Sequence, residues 1–414
     1  MTPSSSRRRC ARRCRCCGYG SGRWAWAALW GQSLRIARPG TTVGGRDAAG
    51  TVLNSPSPLG LVHRVGWARL DALARTAPWR TLWGALGDYF RDPRLRQLFG
   101  RYATYTGCSP FMAPATLMLI AHVEQEGVWL VQGGMVRLAR AMQGLAERNG
   151  ARFRFSAPVA SILLRNGRAA GVTLADGEVI EGDAVIFNGD AAALARGLLG
   201  DATRRAVPDV PNAARGLSAV TWCARTPTDG FPLLHHNVFF AEDYAAEFEA
   251  VFRRRVITEA PTVYICAQDR GGALPAPGTP ERLLLLINAP PDGDTRDFAP
   301  DLPDLARRTI SLLRDCGLHL TLDQNAIATT PTGFDALFPA TGGALYGRAG
   351  HGAMGSFARP GNATRIPRLY CAGGSVHPGP GIPMATLSGR LAAARVLDDL
   401  AGTTRRVIAL PTPG

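Results

Sequence analysis

Residues 368–399, RLYCAGGSVHPGPGIPMATLSGRLAAARVLDD, constrain the fold more than any other stretch. A short apolar run, Leu369-Tyr370-Cys371-Ala372, breaks into Gly373-Gly374 and passes through His377-Pro378-Gly379-Pro380-Gly381. Beyond it Met384, Leu387, Leu391, Ala394, Leu397 and Leu400 recur at helical spacing, and Pro383 suits a first helical turn, where a missing N–H costs nothing. The order expected is strand, glycine turn, helix. The helix would then start at the glycines, its free amides and positive dipole end facing whatever occupies the turn. Such a turn suits an anionic or electron-rich ligand, and it is also compatible with a purely structural role.

The other 382 residues supply context. All 47 basic residues are Arg and the net charge is +15, yet residues 1–50 hold ten Arg against Asp47 alone and carry +9 of it. The body is therefore only mildly basic, and no nucleic-acid partner is expected. Cys10, Cys14, Cys16 and Cys17 crowd the start, while Cys108, Cys223, Cys266, Cys316 and Cys371 are scattered in apolar company. They read as buried thiols of a reducing compartment, not a disulfide framework. His235-His236 invites a metal reading, but adjacent residues of a strand point to opposite faces, so no metal is expected.

Residues 1–55 show neither strand alternation nor a capped helix and are expected to be disordered and unrelated to the rest. Their Arg, Cys, Trp and Gly resemble GC-rich coding DNA read in a wrong frame. No run of eighteen apolar residues occurs anywhere, which excludes a spanning helix on length. Helices interrupted at Pro78 and Pro93 are expected over 67–99, with Leu82, Ala85, Leu86 and Tyr89 on one face. A short strand is expected at 128–131, then a Gly133-Gly134 turn and an amphipathic helix from Met135 to about Asn149. Strands at 152–155, 159–164, 170–174 and 184–187, with Asn166-Gly167 and Asp176-Gly177 turns, read as a β-meander. Strand-like runs at 219–224, 237–240, 262–267 and 283–287 before a helix at 302–316 suggest a mixed or antiparallel layer. Gly350-His351-Gly352-Ala353-Met354-Gly355 matches G-x-G-x-x-G literally, but neither a strand before it nor room for a helix after it supports a dinucleotide turn, so it reads as a loop.

Three further blocks accompany the C-terminal one: DPRLRQLFGRYATYTGCSPFMAPA (92–115), GVWLVQGGMVRLARAMQGLAERNGARFRF (127–155) and FDALFPATGGALYGRAGHG (334–352). Together with GGSVHPGPGIPMATLSGR, these resemble the carotenoid desaturases, a branch of the FAD-dependent amine oxidase-like superfamily, and most closely its hydroxyneurosporene desaturases. The resemblance covers roughly 56–401. It implies an α/β (α+β) chain with a two-domain amine oxidase-like FAD fold and a mixed sheet. The usual N-terminal βαβ unit is missing, since no G-x-G-x-x-G turn with a preceding strand stands near the start. The implied layout is a helical part of the substrate domain at 56–127, a partial FAD domain at 128–200, a substrate-domain sheet at 201–332, a C-terminal FAD segment at 333–401 and a tail at 402–414.

The resemblance further implies FAD as cofactor, held by Val159, Gly373, Gly374, Gly379, Gly381, Ile382, Pro383 and Met384. It makes Tyr102, Tyr105 and Phe111 candidate tunnel-lining residues and His377 the base candidate, although His377 also reads as a turn residue of the Gly/Pro loop. No triad or paired carboxylates stand out, and flavin chemistry needs none. The implied activity is 3,4-desaturation of a hydroxylated acyclic carotenoid, by a cytoplasmic protein peripheral to the inner, photosynthetic membrane. Another carotenoid desaturase or isomerase, or an inactive remnant unable to bind FAD, is the alternative.

Overall fold

The computed structural model describes residues 76–125, 127–270 and 278–408, together with Ala74 and Ala276. The expectations for residues 1–55 lie outside the described residues.

The first elements are helical. Helix α1 (Leu82–Tyr89) starts at Thr81, whose Oγ1 accepts from the Gly84 amide, and α2 (Pro93–Gly100) starts at Asp92, whose carboxylate accepts from the Arg94 amide. Pro93 thus opens a helix, as its fixed φ favours. Leu82, Ala85 and Leu86 are buried, but Tyr89 is 72% exposed, so the face expected to hold four residues holds three. A 3₁₀ turn (Arg101–Thr106) and α3 (Met118–Glu124) complete this layer around a small core with Ala103, Cys108, Ala113 and Ala349.

Helix α4 (Met135–Arg148) follows Gly133-Gly134 as expected, yet no residue of it is buried. Residues 128–131 and 152–155 form no strand. Strand-forming residues need a neighbouring ladder, and none reaches these two segments among the described residues.

A meander is present with different members from those expected: β1 (Val159–Arg165), β2 (Arg168–Leu174) and β3 (Val179–Glu181) pair antiparallel in that order, whereas 152–155 forms no strand and 184–187 pairs elsewhere. Asn166 and Gly167, with φ of 51° and 75°, form the two-residue turn between the first two. β4 (Val185–Phe187) leads through Asn188-Gly189-Asp190 into the short helix α5 (Ala191–Ala195).

A second layer is built from β5 (Ser218–Thr226), the two-residue β6 (Asp229–Gly230), β7 (His236–Phe239), α6 (Tyr244–Glu249), β8 (Val263–Ala267), β9 (Glu281–Ala289), α7 (Leu302–Asp315), β10 (Leu318–His319) and β11 (Ile327–Thr329). Five of these strands form one antiparallel sheet in the order β11-β5-β9-β8-β7. Alternation sorts its faces. Val263, Ile265 and Ala267, with Leu283, Leu285, Ile287, Val220 and Trp222, close a core against Leu305 and Leu313 of α7. Tyr264, Cys266, Leu284 and Leu286 face the other way and stay half-buried.

Helix α8 (Pro331–Leu337) and a glycine-rich loop return the chain to the first layer, where β12 (Leu369–Cys371) pairs parallel with β4 and leads to α9 (Ile382–Ile408). α9 is helical through residues 402–408, which were expected to be tail. The Gly350–Gly355 match is a loop followed by one 3₁₀ turn (Gly355–Phe357). A Cβ on Gly355 would lie 2.3 Å from the Gly350 carbonyl carbon, so these glycines serve chain against chain contact.

Among the scattered cysteines, Cys108, Cys316 and Cys371 are buried and Cys266 half-buried, but Cys223 is exposed. It lies on the open face of the five-stranded sheet, where alternation from the buried Trp222 puts it.

Candidate flavin site

The site grows from the end of β12. The Ala372 amide donates to Phe187 O at 3.0 Å, and Asn188 Nδ2 donates to Ala372 O at 3.0 Å, so both parallel strands end on one edge. There the chain turns at Gly373. Its φ is +126°, and a Cβ would sit 3.1 Å from Asn188 Nδ2, so glycine is required by conformation and by space. The Gly373 amide donates to Ser388 Oγ at 3.1 Å, and Asn362 Nδ2 donates to Cys371 O and to Ser388 O and Oγ, each at 3.0 Å. Strand end and helix are thus tied across the loop.

Gly379 and Gly381 also have positive φ, and the His377–Pro378 peptide is cis. Gly374 lies in the loop, Gly381, Ile382 and Pro383 are exposed and Met384 is half-buried. The first-turn amides of a 27-residue helix therefore open onto one surface. His377 is buried, 5% exposed, and its amide donates to Pro360 O at 2.8 Å.

Arg359 and Asp190 complete the surroundings, and neither was singled out from sequence. Arg359 Nη1 donates to Tyr346 O at 2.5 Å and to Gly374 O at 3.2 Å, while its buried Nη2 has no hydrogen-bond partner. Burial pushes this guanidinium's pKa down, opposed by the charges of Cys108 and Asp190. Asp190 caps α5 through the Ala192 amide at 2.9 Å, and burial raises its carboxyl above the usual range. For Asp190 the sequence offers only its place just after the strand expected at 184–187. Arg359 is one Arg among 47 and carried no mark of burial.

The remaining candidates are dispersed. Val159 begins β1, 41% exposed, outside the cluster in which Ile162 and Ala169 pack with Ile366, Leu369, Cys371 and Val376. Tyr102 donates its hydroxyl to Glu124 Oε2 at 2.5 Å and meets Tyr105 edge-on at 5.4 Å between ring centroids. Burial raises the Tyr102 phenol and, against the Tyr102 hydrogen bond, the Glu124 carboxyl. Tyr105 is 38% exposed. Phe111 packs among Trp83, Tyr244 and Phe248, at 4.7–6.2 Å, in an aromatic cluster of the core.

The argument that His235 and His236 point to opposite faces does not hold. His235 precedes β7 and is free of its alternation, so both imidazoles turn toward Cys266, and the ligand atoms of all three lie within 4.8 Å of one another. His235 Nε2 approaches Cys266 Sγ to 3.7 Å, and His236 Nδ1 lies 2.8 Å from the Tyr264 hydroxyl.

A family model described as flavin containing amine oxidoreductase matches residues 83–397. The chain belongs to this family. It is 53% identical over 347 residues to a hydroxyneurosporene desaturase of Rubrivivax gelatinosus, covering 83% of this chain and 66% of that one. It is 47% identical over 329 residues to a hydroxyneurosporene desaturase of Cereibacter sphaeroides, with coverages of 79% and 66%. A 1-hydroxycarotenoid 3,4-desaturase of Flavobacterium sp. is 36% identical over 315 residues, with coverages of 73% and 62%. The chain thus spans about two-thirds of the length of the relatives it matches. Among solved structures, an oxidoreductase from Methanosarcina mazei aligns at 16% identity with a TM-score of 0.48, over 80% of this chain and 72% of that one.

Family membership implies FAD, and the residues present fit one side of such a group. The Gly373 turn admits close approach, the open amides of α9 suit an electron-rich ring edge or an anion, and the unpartnered Arg359 Nη2 adds a buried cation beside the loop. Among the described residues, no second strand, glycine turn and helix of dinucleotide-binding form faces them.

Proposed function

We propose that this chain carries out FAD-dependent desaturation of a hydroxylated acyclic carotenoid, of the 3,4 type. The observation that carries the reading is the 53% identity to a hydroxyneurosporene desaturase across 83% of the chain. The geometry agrees with it: one face of the five-stranded sheet is sealed by α7, while Leu284, Leu286, Tyr264 and Cys266 offer a half-open apolar floor to a long polyene. When bound, the flavin supplies a two-electron acceptor for hydride. The chain's residues hold the polyene on an apolar floor and position the loop. The proton lost with the hydride passes to a base or water, and His377, in the loop itself, is the candidate.

Purified protein should show flavin absorbance after incubation with FAD, and expression in a host making hydroxylated neurosporene should extend the polyene by one double bond. Absence of flavin after incubation sinks the reading. His377→Gln separates the two roles of that residue: turnover lost about 10²-fold or more with flavin retained fits the base, and loss of both fits the turn. A second reading, a chain that does not retain flavin by itself, is favoured by the exposure of Met135, Met142, Leu145 and Leu397 on α4 and α9. We also place the protein at the cytoplasmic side of an inner membrane, as a peripheral component, because the substrate class is lipid-soluble and the run Val128, Trp129, Leu130 is exposed. No helix among the described residues is long and apolar enough to cross a membrane. Sedimentation with anionic vesicles, lost on Trp129→Ser, tests the contact.

A further inference from the structure

Arg101 is a buried cation with an unused donor. It opens the 3₁₀ turn Arg101–Thr106, is 7% exposed, and its Nη1 has no hydrogen-bond partner. Glu247, a buried carboxyl within its electrostatic reach, is engaged elsewhere: its oxygens accept from Thr262 Oγ1 and Asn288 Nδ2. A desolvated guanidinium N–H left unpaired costs more than an ordinary hydrogen bond returns, so its retention asks for a group to satisfy it.

Three phenols lie within its electrostatic reach, one of them in ring contact. Arg101 Cζ lies 5.7 Å from the Tyr264 ring centroid, and the Tyr105 and Tyr346 side chains feel its charge. Tyr264 stands on the half-open sheet face, and Tyr105, 38% exposed, leaves one side accessible. Tyr346 links this cage to the glycine loop, because its carbonyl and that of Gly374 share the Arg359 Nη1 donor.

We propose that Arg101, with Tyr105, Tyr264 and Tyr346, forms the subsite for the oxygen-bearing end of an acyclic polyene, Nη1 donating to a terminal hydroxyl. The proposal rests on the carotenoid reading above. If the hydroxyl is on carbon 1 and the new double bond joins carbons 3 and 4, as the name of the Flavobacterium relative states for that enzyme, the oxygen lies two carbons from the reacting bond. Its anchor then belongs beside the glycine loop, where Tyr346 puts this cage, and not at the far end of a channel. A hydroxyl fits better than a carboxylate. The cage presents phenols that both donate and accept, whereas a carboxylate calls for a bidentate guanidinium fork.

Binding by the full chain, read from quenching of tryptophan fluorescence, tests this without turnover. The ligands are an acyclic polyene with a tertiary alcohol at carbon 1, its deoxy parent and a polyenoic acid of equal length. The wild type should prefer the alcohol over the deoxy parent by on the order of ten- to a hundredfold. Arg101→Met should erase that ratio while leaving affinity for the deoxy polyene, and Arg101→Lys should restore part of it. Tyr346→Phe, which leaves the guanidinium in place, should lower the ratio by a few fold. An undiminished ratio in the Arg101 variants, or in Tyr346→Phe should they not fold, overturns the subsite, and a wild type preferring the acid overturns the hydroxyl. A wild type that binds no polyene overturns the carotenoid reading itself and the subsite with it.

Discussion

The five-stranded sheet and the parallel pair β4/β12 are both made of apolar strands but are covered differently: α7 seals one face of the sheet, whereas in the pair β12 is buried and β4 is not. In the first, Ile265, Leu285 and Ile287 are fully buried against α7. In the second, β12 is buried but Ile186 of β4 is 46% exposed, and α4 and α9 leave Met142, Leu145 and Leu397 more than half exposed. The five-stranded layer holds the larger core, whereas the layer bearing the glycine turn holds a smaller one, around Ile162, Leu369, Cys371 and Val376. Stability should therefore reside in the first layer and ligand response in the second.

The sharpest test joins the two. Arg215, 3% exposed, donates to Asp294 Oδ1 and Oδ2 at 2.8 and 2.7 Å and also to Pro291 O and Ala340 O. It fastens the end of the sheet to the glycine-rich loop beside the flavin turn. Burial alone would raise the Asp294 carboxyl, but Arg215 outweighs this and holds it below the usual range. Arg215→Met should destabilise by about 3–5 kcal/mol in urea unfolding, since it strands a carboxylate and two carbonyls. A loss below ~1 kcal/mol would mean that the layers do not depend on this link.

Next in size, Leu285→Ala should cost about 2–5 kcal/mol, while Leu145→Ala on α4 should stay within ~0.5 kcal/mol. Equal effects would break the contrast between the layers.

These differences explain what sequence could tell. Alternation made four strands of the five-stranded sheet, the β1–β2 hairpin with Asn166-Gly167 and the helix α7 legible within two residues or so at each end, because local pattern and burial agree there, but it missed the three-residue strands β3 and β11. It misplaced strands at 128–131 and 152–155, where the same residue types found no ladder. The Gly373 turn was legible because its glycines are dictated locally. Arg101, Arg215 and Arg359 were not, because a chain whose only base is arginine gives no composition signal of which guanidinium is buried. Convergence of His235 and His236 on Cys266 depended on where β7 begins, a boundary that alternation sets only loosely.

A pH effect of smaller size should come from His351, in the loop bearing the false dinucleotide motif. Its Nε2 accepts from the Ser109 amide at 3.0 Å, and burial pushes its pKa down from 6.5 to about 4. The fold therefore holds the ring neutral. Unfolding lets it take up a proton below pH 6.5, so this stability is complete above that value and is lost as pH falls toward 4. Between pH 7 and 5 the loss should be about 1–2 kcal/mol. His351→Gln, which keeps an acceptor, should flatten that part of the stability profile; an unchanged slope would assign it to other groups.

A comparably small stability effect should accompany a large change in ligand binding. Gly373→Ala forces a Cβ to within 3.1 Å of Asn188 Nδ2 at φ of +126°, a strain of about 1–2 kcal/mol confined to the loop. Because the five-stranded core is remote from it, urea unfolding should shift by no more than that. The turn, however, must then move or release its hydrogen bonds to Asn188 and Ser388, and with them the spacing between the strand end and the first amides of α9. Flavin retained after gel filtration should fall far more than stability does. If Gly373→Ala keeps its flavin, the cradle does not depend on this turn; if it unfolds like Leu285→Ala, the flavin-side layer carries more of the fold than its exposure implies.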